Sequence, residues 1–350
     1  MPRKNTDTIA TIGIDIGKNT FHLIGLDKSG AIVMQARLSR GQLGRRLANM
    51  SRCLIGMEAC AGAHHLGRTL EALGHDVRLI PAQYVKPFLK GHKNDYRDAE
   101  AIAEAVQRPT MRFVRIKSPV QMDLLALHRV RSRLVSQRTG VINQIRGFLI
   151  ERGIAVAKGP RSLRKALPEI LGSRSDVLSP MIVRIIEQLC ADWRRLDEWI
   201  DQATEEIEQL AGQDTCCQRL MTIPGIGPTI SSAIVAAVGD ASGFASGRDL
   251  SAWLGLVPRQ MSTGDRTILG RISKRGNRYV RTLLVQAAQV ILVRRPQTVK
   301  RGLCDWIEAV SKRLHRNILV IALANKLARI CWAVLARNAT YQPKGISQTG

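Results

Sequence analysis

Two adjacent hydroxyl side chains, Ser262 and Thr263, stand beside a concentration of cations between Trp253 and Arg281. The cationic residues of this stretch are Arg259, Arg266, Arg271, Lys274, Arg275, Arg278 and Arg281. A hydroxyl beside several guanidinium groups has what attack on a phosphodiester requires, because the cations stabilise charge that develops on the phosphate oxygens. Ser-Thr-Gly is also common in turns, so the pattern taken alone also fits a solvated loop before a basic helix that binds nucleic acid. We expect a loop here, followed by a helix that begins near Gly276–Asn277.

A second group of residues that could bind a metal or take part in catalysis consists of acidic residues in the first third of the chain. Asp15 lies near the end of a predicted strand in the sequence Gly-Ile-Asp-Ile-Gly, whose glycines would let a ligand approach the backbone closely. Glu58 ends another apolar strand, and Asp95 and Asp98 are three residues apart at the start of a predicted helix. Carboxylates converging from these positions would repel one another without cations between them, and hard oxygen ligands suit Mg²⁺ or Mn²⁺. Two such ions can hold the attacking and leaving oxygens of a phosphodiester.

These carboxylates also have ordinary structural explanations. Asp15 fits a turn at the end of a strand, and Asp95 fits a helix N-cap favoured by the helix dipole. Glu58 is the hardest to explain in this way, because a carboxylate that ends an apolar strand needs a partner.

Residues 1–115 contain the elements that must position the carboxylates. Apolar or alternating segments predict strands there, and amphipathic segments predict helices. The predicted strands are 9–16, 21–26, 31–36, 53–57 and 76–80, and the predicted helices are 42–50, 64–73 and 95–107. Short turns imply an antiparallel meander for the first three strands, whereas helices join the later ones. The order βββαβαβα is typical of a ribonuclease-H-like α/β domain with a mixed sheet and flanking helices.

Residues 116–213 are predicted to form a helical arm. One long helix is expected over 118–152, followed by an irregular connection rich in Gly, Pro, Ser and Arg over 153–179. A second long helix has apolar residues at alternating spacings of four and three, which predicts a coiled-coil seam. The seam residues are Leu189, Trp193, Leu196, Ile200, Ala203, Ile207 and Leu210. The two helices suggest an antiparallel pair, which could pack on its own domain or serve as a dimerisation arm.

Residues 214–340 are predicted to form a mainly helical C-terminal domain, with a tail at 341–350. The sequence Ile-Pro-Gly-Ile-Gly-Pro at 223–228, followed by a helix of small residues over 229–238, resembles a helix-hairpin-helix element. Backbone N–H groups at Gly225 and Gly227 would then bind a DNA phosphate. An ordinary corner between two helices is the alternative. Further helices are expected over 303–314 and 318–337.

Composition narrows the classes of partner. A formal net charge of +25 and a pI near 10.7 indicate a polyanion, and the spread of the charge along the chain favours nucleic acid over a membrane surface. We expect no signal peptide, no membrane-spanning segment and a cytoplasmic location. The seven cysteines lack the spacing of zinc ligands and are expected to be reduced and buried.

Several motifs in a fixed order resemble those of a known family. They are Gly-Ile-Asp-Ile-Gly-Lys at 13–18, Gly-Met-Glu-Ala-Cys-Ala-Gly at 56–62, Lys-Asn-Asp-Tyr-Arg-Asp at 93–98, Ile-Pro-Gly-Ile-Gly at 223–227 and the block from Trp253 to Arg281. Together they resemble the DEDD transposases of insertion sequences related to the Piv DNA invertase, of the IS110 kind and its IS1111 branch. The resemblance covers nearly the whole chain.

The resemblance implies a RuvC-like N-terminal domain with Asp15, Glu58, Asp95 and Asp98 as a metal-binding tetrad, a coiled-coil arm and a C-terminal transposase domain. It also implies a serine nucleophile that cleaves a DNA strand and holds it as a phosphoserine. In this family the serine and the carboxylates are thought to form one composite active site between subunits of a tetramer, so we expect a homo-oligomer, from dimer to tetramer. A structured non-coding RNA is implied as a guide that pairs with donor and target DNA, which would leave backbone and shape recognition to the protein.

One position departs from the family pattern. In some members the serine directly precedes the glycine of the loop, where this chain has Thr263. We expect Ser262 to be the nucleophile, with Thr263 as the alternative. Two other functions fit parts of the sequence: a metal-only nuclease of the Holliday-junction-resolvase kind, and a non-catalytic architectural protein that binds nucleic acid.

Overall fold

The structure is a computed structural model that describes residues 9–92, 94–173, 177–294 and 303–342. The chain divides into two compact units, Met1–Met122 and Asp123–Gly350. The predicted helical arm and C-terminal domain therefore fall within one compact unit. Most of the predicted tail lies outside the described residues, but Tyr341 is held by a hydrogen bond from its backbone N–H to Thr222 Oγ1 (2.8 Å).

The first unit is built on the predicted mixed sheet. The strands are β1 (Thr11–Ile16), β2 (Thr20–Leu26), β3 (Ile32–Ser39), β4 (Leu54–Glu58) and β5 (Asp76–Ile80), in the order β3-β2-β1-β4-β5. The helices are α1 (Arg40–Ala48), α2 (Ala63–Ala72), α3 (Ala82–Val85) and α4 (Asp95–Val106). β2 is antiparallel to β1 and β3, whereas β4 is parallel to β1 and β5. The mixed α/β architecture expected from the element order is confirmed.

Glycines bring α4 unusually close to one face of this sheet. A Cβ on Gly13 of β1 would lie 2.0 Å from Ala99 O, and one on Gly56 of β4 would lie 2.8 Å from Val106 Cβ. Gly13 and Gly56 are neighbours in the β1–β4 register, so together they form a shallow seat for the helix. The sequence prediction that Gly13 serves ligand approach is therefore wrong, since the space beside it is filled by α4.

The second unit is mainly helical, as predicted. Its helices are α5 (Pro119–Ile150), α6 (Pro160–Ser173), α7 (Pro180–Gln213), α8 (Thr215–Met221), α9 (Pro228–Val238), α10 (Gly247–Trp253), α11 (Arg278–Val293), α12 (Cys304–Ser311) and α13 (Arg316–Ala336). Two strands, β6 (Pro258–Thr263) and β7 (Arg266–Ile272), form an antiparallel hairpin. Within the described residues, only α13 is long and apolar enough to cross a membrane, and half of its apolar segment is buried in this unit. Lys326 and Arg329 interrupt this segment, and Arg329 is exposed, as expected of an amphipathic helix that packs on a core.

The irregular connection expected over 153–179 is wrong for most of its length, because α6 occupies Pro160–Ser173. Leu163, Leu167 and Ile170 follow helical spacing and are buried in a cluster with residues of α5 and α7. The proline inside the helix, Pro168, and the Gly, Ser and Arg content concealed this spacing in the sequence.

Helices α5 and α7 run antiparallel. Arg131 Nε donates to Thr204 Oγ1 (2.7 Å), and Arg138 Nη1 donates to Asp197 Oδ1 (3.0 Å), so seven residues forward on α5 correspond to seven residues back on α7. The seam prediction fails at its end: Leu210 is 39% exposed, and Ala211 is buried instead. A straight helix repeats every 3.6 residues and drifts away from a strict seven-residue pattern. A role of this pair in dimerisation stays a prediction.

The cysteines are all free, but only three of them are buried. The buried ones are Cys53, Cys217 and Cys331, whereas Cys60 is exposed and Cys190, Cys216 and Cys304 are half-buried. Burial raises the pKa of Cys53 to about 11 and that of Cys331 to about 12, so these thiols stay protonated and unreactive. The expectation of complete burial is therefore wrong.

Candidate functional site

The packing of α4 on the sheet brings the predicted acidic residues to one edge. Asp15 is two residues after Gly13 on β1, and Glu58 is two residues after Gly56 on β4, so each faces the side of the sheet that α4 covers. The β1–β4 register places the two carboxyl-bearing positions next to each other, one step beyond the pair Ile14 and Met57.

The start of α4 contributes the other two acidic residues. Asn94 caps the helix, and its side-chain oxygen accepts a hydrogen bond from the N–H of Tyr96 (2.9 Å). Asp95 and Asp98 follow in the first turn. We refer to Asp15, Glu58, Asp95 and Asp98 as the carboxylate cluster. Asparagine at the cap leaves both aspartates available to the cluster, so the prediction that Asp95 could itself be the N-cap is wrong.

Asp15 is electrostatically coupled to the other three members of the carboxylate cluster. The pKa of Asp15 is raised, first by burial and then by the negative charges of Asp98, Asp95 and Glu58, while His22 opposes the shift. Negative charges held together in this way favour a bound cation. The donor set consists of carboxylate oxygens on rigid elements, and this set fits Mg²⁺ or Mn²⁺.

His22 belongs to the same edge, although the sequence analysis did not single it out. It lies opposite Asp15 in the β1–β2 register, and its Nδ1 is 3.4 Å from Asp95 Oδ2. One donor atom each from Asp15, His22 and Asp95 all lie within 4.8 Å of one another. The position of His22 could have been predicted from the sequence. In a meander with a short turn between the first two strands, Ile16 pairs with Phe21, so Asp15 pairs with His22.

The hydroxyls Ser262 and Thr263 lie in a hairpin, so the prediction of a loop is wrong. Thr263 pairs with Arg266 across the two-residue turn of Gly264 and Asp265, and Gly264 has a φ of +54°. A two-residue connection with glycine in the left-handed region is typical of tight hairpins. Every residue of β6 is exposed, and the absence of a buried face is why the strand signal in the sequence was weak.

The two hydroxyls point to opposite faces of this hairpin, because consecutive residues of a strand alternate. Ser262 shares its face with Thr267, its cross-strand partner, and accepts a hydrogen bond from Gln260 Nε2 (2.8 Å). Thr263 shares the other face with Arg266. A phosphate on one face can therefore meet only one of the two hydroxyls, so the alternatives left open by the sequence are stereochemically distinct.

The base of the hairpin is tied to the helical core. Ser273 N donates to Val257 O (2.8 Å) and Lys274 N donates to Gly255 O (3.1 Å). Arg281 is 9% exposed, and its Nη1 donates to the carbonyl oxygens of Leu254 and Arg275, each at 2.8 Å. Arg281 is close in sequence to the hydroxyls, but its guanidinium is bound to carbonyl oxygens of the core, so its role is structural.

The other cations of this stretch face solvent. Arg259, Arg266, Arg271, Lys274, Arg275 and Arg278 are exposed. None of them forms an ion pair with another residue in the described ranges. Helix α11 begins directly after Asn277, whose side chain accepts from the N–H of Val280 (3.1 Å), as the sequence predicted. These cations are free to bind an anionic partner.

The glycine-rich turn between α8 and α9 also lies at the surface. Gly225 is exposed with a φ of +78°, and Gly227 is the N-cap of α9. A Cβ on Gly225 would meet the side chain of Ile291 at 2.7 Å, so glycine is required here for packing against α11 as well as for the turn. Phosphate binding at Gly225 and Gly227 stays a prediction.

A buried polar network holds α5, α9 and α11 together. His128 on α5 is 1% exposed, with Nδ1 3.2 Å from Tyr279 Oη and Nε2 3.1 Å from Ser232 Oγ. Ser232 donates its proton to Pro228 O (2.6 Å), so it accepts from His128 Nε2–H, and Nδ1 then accepts from Tyr279. Burial lowers the pKa of His128 to about 4, which keeps the ring neutral.

Comparison with known proteins relates both units to one kind of protein. A family model described as "Transposase IS116/IS110/IS902 family" matches residues 217–302, and a DEDD transposase model of IS110 matches residues 12–152. The first match contains the glycine-rich turn and the hairpin, and the second contains the whole carboxylate cluster.

Full-length relatives agree with these matches. A transposase for the insertion sequence element IS1328 of Yersinia enterocolitica is 42% identical over 335 residues, covering 95% of this chain and 98% of the relative. A transposase for the element IS1111A of Coxiella burnetii is 41% identical over 341 residues, covering 97% and 93%. A probable family 20 transposase of Pseudomonas aeruginosa is 41% identical over 336 residues, covering 96% and 99%.

Proposed function

This chain belongs to the IS116/IS110/IS902 family of transposases, and on that premise we propose that it cuts and rejoins DNA with a metal-binding carboxylate cluster and a serine nucleophile. The observation that carries the proposal is the convergence of Asp15, Glu58, Asp95 and Asp98 at one edge of the sheet of the first unit. A cluster of mutually repelling carboxylates at a surface edge is costly without a cation, so it is best explained by metal binding.

The carboxylate cluster would hold Mg²⁺ or Mn²⁺. Bound there, the metal supplies positive charge that offsets the charge developing on the scissile phosphate. The contribution of the chain itself is rigid placement: the glycine seat at Gly13 and Gly56 fixes α4, and the Asn94 cap fixes the turn that carries Asp95 and Asp98. Rigid placement matters because small displacements of charged groups weaken transition-state stabilisation steeply.

Ser262 would be the nucleophile. Its Oγ forms a bond to phosphorus while the bond from phosphorus to the departing strand oxygen breaks; the hydroxyl proton passes to solvent and the departing oxygen takes up a proton. The strand is then held as a phosphoserine until a DNA hydroxyl attacks and releases the serine. The hydrogen bond that Gln260 donates to Oγ holds the serine side chain in one orientation on the exposed hairpin. Thr263, beside Arg266 on the opposite face, is the alternative nucleophile.

The exposed cations would bind the phosphate backbone. Arg259, Arg266, Arg271, Lys274, Arg275 and Arg278 surround the hydroxyls in sequence, and the net charge of +25 supports a nucleic-acid partner. We further propose donor and target DNA, a structured non-coding guide RNA and other copies of this chain as partners. Backbone contacts by these cations would position the nucleic acid, and base pairing with the RNA would select the sequence.

A denaturing-gel trap tests this function directly. Labelled DNA carrying the ends of the element would be incubated with protein, Mg²⁺ and the matching RNA, using wild type and the variants Ser262→Ala, Thr263→Ala and Asp15→Asn. We expect a protein–DNA adduct in wild type and Thr263→Ala, and none in Ser262→Ala or Asp15→Asn. Thr267→Ala removes a hydroxyl from the same face of the hairpin and serves as the matched control.

Other outcomes would change the proposal. Loss of the adduct in Thr263→Ala alone would assign the attack to Thr263. Cleaved DNA without an adduct in any lane would favour a metal-only nuclease of the Holliday-junction-resolvase kind. This nuclease is the second candidate because all four carboxylates lie in one unit. DNA binding without cleavage in wild type and Asp15→Asn alike would indicate a non-catalytic architectural protein.

A further inference from the structure

We propose that His22 is a nitrogen ligand of the metal ion held by the carboxylate cluster, and that it makes the site bind Mn²⁺ in preference to Mg²⁺. The inference rests on the proposed function, because it concerns the same site. It begins from placement: His22 is paired with Asp15 in the β1–β2 register and so lies on the face of the sheet that α4 covers. Its side chain is only 13% exposed, and its Nδ1 faces Asp95 of the carboxylate cluster at 3.4 Å.

The distance from His22 to Asp95 fits two ligands of one ion better than a hydrogen bond. His22 Nδ1 and Asp95 Oδ2 are 3.4 Å apart. A charge-assisted N–H···O bond is usually about 2.7–2.9 Å long. Two donor atoms that each lie about 2.1 Å from one ion are roughly 3.0–3.4 Å apart when they occupy neighbouring coordination positions.

A third donor atom completes the group. Donor atoms of Asp15, His22 and Asp95 all lie within 4.8 Å of one another. Donors on opposite sides of an ion with ligands at about 2.1 Å are roughly 4.2 Å apart, so small side-chain rotations bring all three into one coordination sphere.

The ring of His22 is held in place by a neighbour of a cluster member. Tyr96 packs edge-on against it, with ring centroids 4.9 Å apart and an interplanar angle of 79°. Tyr96 follows Asp95 in the first turn of α4, so the same turn supplies a carboxylate and fixes the imidazole. A ligand whose orientation is set before binding loses little conformational freedom when the ion arrives.

A nitrogen ligand changes which ion the site prefers. Mg²⁺ favours oxygen donors and retains bound water, whereas imidazole binds transition metal ions more strongly, and Mn²⁺ is the transition metal ion that carboxylate oxygens also suit. A carboxylate cluster alone suits either ion. Adding His22 therefore favours Mn²⁺, while leaving enough oxygen donors for Mg²⁺ to bind more weakly.

The experiment compares metal binding by the full-length wild type, His22→Asn, His65→Asn and Asp15→Asn. Calorimetric titrations with Mn²⁺ and with Mg²⁺ alone give the affinities, and pulsed electron paramagnetic resonance of the Mn²⁺ complex detects a directly coordinated ¹⁴N nucleus. Asparagine keeps a polar oxygen near the position of Nδ1 but removes the ring. His65 is exposed on α2 and outside the donor group, so His65→Asn is the matched control.

We expect ¹⁴N coupling in wild type and His65→Asn, and its loss in His22→Asn together with a roughly tenfold or larger fall in Mn²⁺ affinity and little change for Mg²⁺. Mn²⁺ binding in wild type without ¹⁴N coupling, lost in Asp15→Asn, would overturn the role of His22 and leave the proposed cluster intact. Unchanged Mn²⁺ binding in Asp15→Asn would instead overturn the cluster itself. Equal losses of Mn²⁺ and Mg²⁺ affinity in His22→Asn, with ¹⁴N coupling absent from wild type, would identify His22 as a residue that only positions Asp95.

Discussion

The carboxylate cluster and the β6–β7 hairpin carry the two halves of the proposed chemistry, and the fold constrains them very differently. The cluster is fixed by strand register, by the close approach of α4 at Gly13 and Gly56, and by a capped helix turn. The hairpin is exposed along all of β6, and the core holds only its base. Carboxylates repel one another, so a packed core is needed to hold them close together. A hydroxyl is neutral, so it can lie on an exposed segment that adapts to its substrate.

The largest effect that tests this comparison comes from glycine substitutions in the two regions. Gly13→Ala should destabilise the first unit by more than about 3 kcal/mol, because the added Cβ would lie 2.0 Å from Ala99 O and push α4 away. Gly270→Ala in the hairpin should cost less than about 0.5 kcal/mol, since its Cβ would meet nothing closer than Arg259 O at 3.7 Å.

Urea unfolding followed by far-UV circular dichroism measures both substitutions. All five tryptophans, at 193, 199, 253, 306 and 332, belong to the second unit, so tryptophan fluorescence reports that unit alone. The fluorescence transition should stay in place in Gly13→Ala while the dichroism transition of the first unit moves. Equal stability of Gly13→Ala and Gly270→Ala would show that α4 does not depend on its glycine seat.

The second prediction concerns the buried polar network of His128, Tyr279 and Ser232 in the helical core of the second unit. The pKa of His128 is about 4 in the folded protein, below its ordinary value of about 6.5. A histidine whose pKa falls on folding stabilises the fold fully above about pH 6.5, and this contribution is lost as the pH falls from about 6.5 to about 4. The second unit should therefore lose up to about 3 kcal/mol of unfolding free energy across that window.

The variant His128→Gln tests whether His128 causes this pH dependence of the unfolding free energy. The variant is less stable at pH 7 because the bonds to Tyr279 and Ser232 are weakened, but its fluorescence-detected stability should change much less between pH 6.5 and 4. His315→Gln changes an exposed histidine of the same unit and is the control. An identical slope in wild type and His128→Gln would contradict the prediction.

The third prediction separates two arginines that are close in sequence. Arg281→Gln should cost about 2 kcal/mol of stability, because it removes the hydrogen bonds to the carbonyls of Leu254 and Arg275. Arg275→Gln should change stability by less than about 0.5 kcal/mol but weaken DNA binding across sequences, with the salt slope falling by about 0.9 for one lost phosphate contact. Binding measured by fluorescence anisotropy over a salt series gives the slopes. A normal slope in Arg275→Gln and a reduced one in Arg281→Gln would reverse the two roles.

The sequence predicts the first unit more completely than the second, for physical reasons. Buried strands leave a clear apolar pattern, and the order of strands and helices was enough to predict a mixed sheet with Asp15 and Glu58 at strand ends. The contribution of His22 depends on the residue-by-residue register of β1 and β2, which apolar patterning alone does not give. The sequence prediction for Gly13 is wrong because a glycine that permits close approach to the backbone looks the same whether a ligand or a helix approaches.

The failures in the second unit arise where composition hides periodicity. Helix α6 contains Pro168 amid Gly, Ser and Arg, and this composition is typical of a loop, so it conceals the helical spacing of the buried positions. The hairpin has no buried face, so it lacks the alternation that identifies a strand. Arg281 has the same side chain as the exposed arginines around it, and only the fold shows that carbonyl oxygens surround it.

The smallest effect returns to the carboxylate cluster and to the cost of holding it together. Glu58→Gln removes one of the charges that raise the pKa of Asp15, so the metal-free protein should gain about 0.5 kcal/mol of stability at pH 7. The same change should weaken Mn²⁺ binding, so that added metal stabilises the variant less than wild type in urea unfolding followed by circular dichroism. Glu71→Gln, an exposed position on α2, should show neither effect. A Glu58→Gln protein that is less stable without metal and unchanged in metal affinity would mean that Glu58 is an ordinary structural carboxylate, because repulsion within the cluster and metal binding are then both absent at this position.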